Sequence, residues 1–335
     1  MKNSLQKIMN GLIDYAGLFP PAKLPLEQAI TEYISHFSDQ RKWMLGRFII
    51  PISQLNDLEK FIPKFDNVGT LKLSVLGAQS NSDKEFFEQT KKEISIIKEY
   101  RKKHEGKVSI EVIETKLPSQ SPSKDVMTKI VKLLNSNNLE HYHEFPELPY
   151  VGINYATNED EGDWDDKITP TIEIISKLDN AGIKLRCGGI VKEAFPSVEQ
   201  VAAMIQNCSI YQVPLKFTAG LHHPIRHHSS EYSTEMHGFI NMFSASAFAS
   251  TFPKPNNEQE KFRMFILLSH MIDCQNESDF EFTDDKMTWK VGDDRGSRFE
   301  ISKETIEQSR ENAAISFGSC SFQEPMDDLT QLGWM

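Results

Sequence analysis

Short apolar runs rich in Val, Ile and Phe alternate along this chain with longer segments of helical period, and this alternation limits the fold more than any other feature. Such alternation is typical of βα units, whose strands join in a parallel sheet. The runs that read as strands are Ile13–Phe19, Gly46–Ile50, Leu71–Leu76, Val108–Ile113, His141–Phe145, Ile183–Cys187, Pro214–Thr218 and Ala314–Phe317. The helical segments are Leu26–Phe37, one from about Ser53, Asp83–His104, Lys124–Asn135, Thr171–Ala181, Val198–Gln206, a doubled region Met236–Ser250 and Gln259–Cys274, and Lys303–Asn312. Eight strand candidates, each with a following helix, predict a (β/α)8 TIM-like barrel.

The chain of 335 residues is long enough for one such barrel with an insertion. Phe280–Phe299 reads as a polar β-hairpin with the turn signal GDDRG. We therefore expect a single domain over residues 1–335, with the hairpin at about 280–299. The alternative is an open doubly wound α/β sheet, which follows if the first strand fails to form. No GxGxxG or GxxxxGK[ST] motif supports that alternative.

The net charge, the apolar stretches and the cysteines limit the partners and the cellular location that we expect for this chain. A formal net charge of −11 argues against nucleic acid, because phosphate binding needs a basic face. Apolar stretches end well short of the roughly 20 residues of a membrane span, and no signal peptide is recognised, so no membrane partner is expected. The four cysteines show no CxxC spacing, which favours a reduced, cytoplasmic protein. The oligomeric state stays open, and a homo-oligomer is compatible with the sequence.

Polar residues at the carboxyl ends of the predicted strands are the candidates for a site, because barrel enzymes place their chemistry there. A charge kept at the end of an apolar strand needs a partner or a ligand. The candidates are Asp14, Tyr15, Arg47, Glu114, Glu144, Glu147, Lys184, Arg186, Lys216, Thr218, His222, His223, Ser319, Cys320 and Ser321.

Lys184 and Arg186 in IKLRCGG have the same parity, so both side chains point to one side of the sheet. Two cations in a barrel need anions. Glu144 and Glu147 on the neighbouring unit are one source, which would make a closed structural network. A substrate carboxylate or phosphate is the other source, with Arg186 as a bidentate clamp.

Lys216 in PLKFTAG lies between Leu215 and Phe217 and shares the parity of Thr218. Desolvation in such surroundings makes a lysine easier to deprotonate, as a nucleophile or base requires. The K-x-T-x-G pattern resembles class I aldolases, which carry a Schiff-base lysine on a late barrel strand. Pairing of Lys216 with a charged substrate is the other interpretation.

Four histidines follow in LHHPIRHH, and His222 and His223 lie nearest the strand exit. We assign these two to catalysis, with Lys216 and Glu144. A divalent metal is the cofactor that such a loop would accommodate, through His223 with His227 or His228 and with His237 or Glu144. No HExxH or HxH motif occurs, so the metal ligands stay unknown and no cofactor is firmly implied.

Six further candidates are assigned to substrate binding. They are Lys184, Arg186, Thr218, Arg47, Ser319 and Ser321. FGSCSF gives the last strand exit a glycine, and successive backbone N–H groups there would form an anion nest. Cys320 reads as a buried structural cysteine rather than a nucleophile.

The motifs DYAGLFPPA, WMLGRFIIP, KLRCGG, FPSVEQVA, KFTAGLHHP and FGSCSF together resemble a family of conserved bacterial proteins of about this length, to which no activity is assigned. The resemblance spans the chain from residue 13 to the LGW near its end. It implies no reaction, substrate or metal. Cys187 stands where the resemblance implies a small polar residue, which argues against an obligatory cysteine nucleophile there.

Three functions are compatible with these residues. The leading one is a barrel enzyme that acts on a small anionic metabolite, a carboxylate or a phosphorylated sugar, by lyase or isomerase chemistry with acid/base or Schiff-base catalysis. The second is a metal-dependent hydrolase that uses the 222–228 histidine loop. The third is a non-catalytic small-molecule-binding barrel, in which the strand-exit charges pair with one another and leave no cavity.

Overall fold

The computed structural model describes residues 1–78, 80–116, 124–135, 143–147, 164–178, 181–189, 191–291 and 296–335. The strands are β1 Ile13–Tyr15, β2 Leu45–Pro51, β3 Leu71–Leu76, β4 Val108–Lys116, β5 His143–Glu147, β6 Ile183–Arg186, β7 Leu215–Thr218, β8 His227–Ser229, β9 Thr234–Met236, β10 Phe280–Phe282, β11 Lys286–Val291, β12 Ser297–Ser302 and β13 Ala314–Ser319. The helices are α1 Asn3–Met9, α2 Leu26–His36, α3 Leu55–Leu58, α4 Asp83–Lys103, α5 Lys124–Asn135, α6 Trp164–Ile175, α7 Val198–Tyr211, α8 Phe239–Ala249, α9 Glu258–Asp273, α10 Lys303–Asn312 and α11 Gln323–Gln331.

A curled parallel sheet forms the centre of the protein. Seven strands follow one another by parallel pairing in the order β4, β3, β2, β1, β13, β7 and β6. β5 pairs with β4 at five positions and with β6 through Glu147 and Lys184. The order never reverses as it does in a doubly wound sheet, so the open doubly wound alternative is wrong. The mixed α/β architecture with a barrel-like sheet is confirmed.

The sequence located the strands well and the ends of several helices less well. β1 stops at Tyr15 rather than Phe19, because the chain turns at Ala16 and the Phe19 N–H bonds back to the Ala16 carbonyl. The helix expected from about Ser53 is the short α3, followed by a 3-10 segment that contains Pro63. Proline lacks the N–H donor that a regular helix needs.

Two other helix limits were wrong. α6 begins at Trp164 and runs through Pro170 instead of beginning at Thr171, and it ends at Ile175. α8 begins at Phe239, because Met236 belongs to β9 and pairs with His227 of β8. α1 and α11 were not expected at all, since both are short and polar for their length.

The insertion expected at about 280–299 is a three-stranded antiparallel sheet of β10, β11 and β12 that extends to Ser302. Its turn residues 292–295 lie outside the described residues. Trp289 on β11 is buried, with its ring stacked on Phe299 at 5.6 Å between centroids and edge-on to Phe248 of α8 at 5.9 Å. The inserted sheet therefore shares the core of the helical layer. Within the described part of the chain, every helix is too short or too polar to traverse a lipid bilayer.

Replacing Trp289 tests whether the inserted sheet is part of the core. We expect Trp289→Ala to lower the free energy of unfolding by about 3–5 kcal/mol, the usual cost of removing a buried aromatic ring. The matched control is Phe262→Ala on α9, where the side chain is 64% exposed and the expected change is within about 0.5 kcal/mol. Urea unfolding measures both, and equal stabilities of the two variants would contradict this packing.

Candidate functional site

A pocket of about 430 Å³ opens where the parallel strands end and their loops begin. Its basic lining residues are Lys184 and Arg186 from β6 and His222 from the loop after β7. Its apolar walls come from several elements and include Phe19, Pro21, Ile49, Leu76, Phe195 and Met236. The volume suits a small metabolite, and apolar walls with a few convergent polar groups are typical of ligand sites.

Directly beneath the pocket, the carboxylate of Glu114 is shared by two lysines. Glu114 is the seventh residue of β4 and is 3% exposed. Its Oε2 lies 2.5 Å from Lys184 Nζ, and its Oε1 lies 2.5 Å from Lys216 Nζ. Ser74 of β3 donates a further hydrogen bond to Oε1. Glu114 of β4 is therefore an anionic partner of both lysines.

Lys216 is enclosed within this network. Its side chain is 0% exposed, and its Nζ contacts Asp14 Oδ2 at 2.7 Å, Glu114 Oε1 at 2.5 Å and Ser74 Oγ at 3.3 Å. Lys216 is not among the residues that line the pocket. Lys184, by contrast, contacts Glu114 and also lines the pocket. The two lysines thus occupy different depths of the same cluster.

Asp14 of β1 connects the two lysines and Glu114 to residues on the neighbouring strands. Its Oδ2 accepts a hydrogen bond from Ser316 at 2.8 Å, and its Oδ1 accepts one from the backbone N–H of Arg47 at 2.7 Å. The Arg47 guanidinium lies 3.6 Å from Asp14 and 3.1 Å from Glu111. Arg47 is thus paired within the protein and does not line the pocket.

Both buried carboxylates are held in the ionised form. Burial by itself raises the pKa of Glu114, but the positive charges of Lys184 and Lys216 outweigh burial and hold that pKa well below its usual range. Burial opposes ionisation of Asp14 as well, and the charges of Lys216 and Arg47 lower its pKa. Asp14 and Glu114 therefore face the two lysines as anions.

Arg186 differs from the other cations of the site because it has no carboxylate partner among the described residues. Its side chain is exposed, and its Nε donates a 2.8 Å hydrogen bond to the Gly188 carbonyl. That bond orients the guanidinium at the pocket mouth and leaves its terminal NH groups for another acceptor. A planar guanidinium in this state is suited to a carboxylate or a phosphate.

The loop after β7 contacts the C-terminal helix through two histidines. His222 Nδ1 lies 3.1 Å from Glu324 Oε2, and His223 Nδ1 lies 2.6 Å from Asp328 Oδ2 on the next turn of α11. His222 lines the pocket, whereas His223 packs edge-on against His227 at 4.4 Å between centroids. Only the first of the two histidines is thus placed to meet a ligand.

The other two histidines of the motif have local partners. His227 Nδ1 faces the Ile225 carbonyl at 3.1 Å, and the exposed His228 pairs with Glu235 across the β8–β9 ladder. Among the described residues, no group of three His, Cys, Asp or Glu side chains is arranged to hold a metal ion.

The remaining sequence candidates are divided between the pocket and its surroundings. Thr218 and Cys320 line the pocket. Ser319 is buried and donates to the Ser321 carbonyl, while Ser321 Oγ accepts from the Glu324 N–H at the start of α11. Neither serine lines the pocket. Glu144 lies on β5 opposite Ile113 of β4, and its side chain is outside the described part of the structure.

The loops after β6 and β7 meet at closely packed backbone. Ala219 and Gly220 both have positive φ, 59° and 69°, directly after Thr218. A Cβ at Gly220 would lie 2.6 Å from the Cys187 carbonyl oxygen, so only glycine fits there. A non-glycine residue such as Ala219 in this conformation is unusual, and such strain is found at ligand-binding loops.

Sequence reasoning found most cations of the site and gave too little weight to its anions. Asp14 and Glu114 were among the strand-exit residues, but neither was named as a partner of the lysines. The signal that could have selected Glu114 is its place in VSIEVIE, where an alternating apolar strand ends in a carboxylate. The alternation of side chains along a strand does not by itself show that the Glu114 side chain reaches β6 and β7 across the interior of the sheet.

Comparison with known proteins adds no family to these observations. No protein-family model matches the chain, and no curated protein matches it with significance.

His237, at the end of the loop that follows β7, is expected to make the stability of the protein depend on pH. It is fully buried, with Nε2 2.8 Å from the Pro196 carbonyl and Nδ1 3.1 Å from Arg226 NH1. Arginine only donates, so Nδ1 accepts and the ring is neutral. Burial, reinforced by the Arg226 charge, lowers the pKa of His237 from 6.5 to about 4. Because the unfolded chain binds this proton at the higher pH, stability should fall as the pH drops from 6.5 towards 4.

We expect the free energy of unfolding to decrease by about 1–2 kcal/mol more between pH 7 and pH 5 in the wild type than in His237→Gln, at roughly 1.4 kcal/mol per unit below the unfolded pKa. The glutamine amide retains one acceptor and one donor. His228→Gln, at an exposed histidine, should behave as the wild type. Urea unfolding at the two pH values measures this, and an unchanged pH dependence in His237→Gln would refute it.

Proposed function

We propose that the chain is a (β/α)8-type barrel enzyme that acts on a small anionic carbonyl compound by lyase or isomerase chemistry, with Lys184 as its amine nucleophile. The observation that carries the proposal is that Lys184 both lines the pocket and pairs with a buried carboxylate. Its side chain lines the pocket, and its Nζ lies 2.5 Å from the buried Glu114 carboxylate. The barrel assignment is supported by the sequential strand order and by β5, which pairs with both β4 and β6.

Covalent chemistry at Lys184 fits the charges of the site. Attack of the amine on a substrate carbonyl gives a carbinolamine, and loss of water gives an iminium. In net terms the ammonium and the carbonyl compound give the iminium and one water. The ammonium releases one proton before the attack, and the carbinolamine takes one up as it loses water. The iminium then carries the same single positive charge as the ammonium, and Lys216 stays paired with Glu114 while the amine and the carbinolamine are neutral. A buried carboxylate that is never left unpaired avoids the cost of an isolated charge.

Lys216 supports this assignment from below the pocket. Its Nζ is occupied by Asp14, Glu114 and Ser74, so it holds Glu114 in place and in the ionised form. Schiff-base chemistry, which the sequence pattern suggested for Lys216, is better placed at Lys184 because a substrate in the pocket reaches Lys184 first. Lys216 is then a positioning residue.

His222 is the group we assign to proton transfer at the substrate. Its Nδ1 faces Glu324, which stabilises the tautomer with the proton on Nδ1. Nε2 has no hydrogen-bond partner among the described residues and belongs to a ring that lines the pocket. An iminium acidifies the neighbouring carbon, and a neutral imidazole is a suitable base for that proton. Lyase and isomerase reactions both begin with this step.

The guanidinium of Arg186 has no carboxylate partner among the described residues, which supports an anionic substrate, and we propose that it binds the carboxylate or phosphate group. The pocket also weighs against a purely structural charge network, because the strand-exit charges pair while a cavity of about 430 Å³ remains above them. We further propose a cytoplasmic location, in line with the four unpaired thiols of the structure.

Borohydride trapping tests the assignment of Lys184. The protein is incubated with short aldehydes and ketones that carry a carboxylate or a phosphate, reduced with borohydride, and examined by intact mass and peptide mapping. We expect a stable secondary amine on Lys184, with the mass of the probe added and one oxygen lost. Lys184→Arg keeps the charge paired with Glu114 and should show no adduct. Lys64→Arg, at an exposed lysine, should react as the wild type does.

Two results would count against the proposal. One is the absence of any adduct on Lys184 with every probe. The other is an adduct that maps to surface lysines and persists at full yield in Lys184→Arg.

A further inference from the structure

Two aromatic side chains of the pocket wall contact each other and come from different loops. Phe195 lies in the loop between β6 and α7, and Tyr232 lies in the turn between β8 and β9. Their ring centroids are 5.5 Å apart, with an angle of 39° between the ring planes. Both residues also line the pocket. The pair therefore gives the cavity an aromatic wall.

The aromatic wall packs against the same strand exit that carries Arg186. A Cβ on Gly188 would lie 2.8 Å from Phe195 Cε1, so the ring rests directly on the glycine backbone. Arg186 Nε donates a hydrogen bond to the carbonyl of that same Gly188, and a Cβ on Gly189 would lie 3.5 Å from Arg186 Nη2. The phenyl ring and the guanidinium thus contact one dipeptide, whose two Cα atoms are about 3.8 Å apart. The anion-binding group and the aromatic wall are neighbours in the pocket.

Most other side chains of the described lining are apolar as well, and they include Phe19, Pro21, Ile49, Leu76 and Met236. The neutral hydrogen-bonding side chains that the described residues contribute to the lining are those of Thr218, Tyr232 and Cys320. A sugar carries a hydroxyl on most of its carbons, and each hydroxyl that leaves water without a partner costs free energy. Burial of apolar carbon, by contrast, is favourable. The described walls therefore favour an apolar group over a phosphorylated sugar.

We infer that the site takes organic anions that carry a bulky apolar group beside the charged group, and that Phe195 and Tyr232 select this apolar group. Arg186 binds the anionic end, and the two rings cover the apolar body. For imine chemistry at Lys184, the substrates are then oxo acids with an aromatic or branched aliphatic group. That last step rests on the proposed function, whereas the binding preference stands without it.

Binding of anions that lack a carbonyl tests this preference without any imine. The dissociation constants of acetate, phenylpropanoate and glycerol phosphate are measured for the wild type by isothermal titration calorimetry. We expect phenylpropanoate to bind about tenfold or more tightly than either of the others, because its phenyl ring is transferred from water to apolar and aromatic walls. Equal binding of acetate and phenylpropanoate, or tightest binding of glycerol phosphate, would overturn the apolar selection.

Substitutions assign the preference to individual residues. Tyr232→Ala removes one ring of the pair and should weaken phenylpropanoate binding about three- to tenfold with acetate binding unchanged, whereas Tyr232→Phe keeps the ring and should bind as the wild type does. Arg186→Met removes a charge-assisted hydrogen bond and should weaken both carboxylates about tenfold. The matched control is Phe262→Ala, at an exposed ring that does not line the pocket, and it should bind as the wild type does. Unchanged phenylpropanoate binding in Tyr232→Ala would refute the role of Tyr232 in selection.

The inference and the proposed function fail in different ways. Tight binding of phenylpropanoate, with no borohydride-trapped adduct of phenylpyruvate on Lys184, supports the apolar selection and refutes the amine nucleophile. An adduct on Lys184 that forms equally well from pyruvate and phenylpyruvate, with no preference for phenylpropanoate over acetate, refutes the apolar selection and leaves the nucleophile intact.

Discussion

The carboxylate of Glu114, shared at 2.5 Å by two lysines, is the interaction on which the rest of the site depends. An unpaired buried charge costs several kcal/mol, and Glu114 offsets that cost for both lysines. Asp14 also pairs with Lys216, so Glu114 can pair with Lys184 as well as with Lys216. One lysine is thereby fixed in the core, and the other is presented, still paired, to the pocket. The chemistry we propose follows from this division.

The fold was largely predictable from the sequence because buried strands appear in it as apolar runs. Each strand of the parallel sheet was expected within a few residues of its position, since strands covered on both faces must be apolar runs. What the sequence could not show is where polar segments become ordered by distant partners. α11 is short and acidic, and its Glu324 and Asp328 face histidines that are more than 100 residues earlier in the chain. No local pattern encodes such a contact.

The site was predictable in its location and in its cations, and not in its anions. Strand parity correctly put Lys184 and Arg186 on one face, and both line the pocket. Parity does not measure reach across a curled sheet, so the sequence pointed to Glu144 and Glu147 on the adjacent strand as partners of Lys184 and Arg186 and gave no sign that Glu114 reaches Lys184. The ion pair between Glu114 and Lys216 joins β4 to β7, two strands that do not pair with each other. Only the three-dimensional curvature brings them together.

A double-mutant cycle between Glu114 and Lys216 measures how strongly the buried carboxylate and this lysine stabilise each other. The free energy of unfolding is measured by urea titration for the wild type, Glu114→Gln, Lys216→Met and the double variant. Each single substitution leaves a buried charge short of a partner, and we expect each to cost about 3–5 kcal/mol. The double variant removes both charges, so its loss should be smaller than the sum of the single losses by about 2 kcal/mol or more. Additive losses would mean that Glu114 does not hold Lys216, and they would contradict the shared carboxylate.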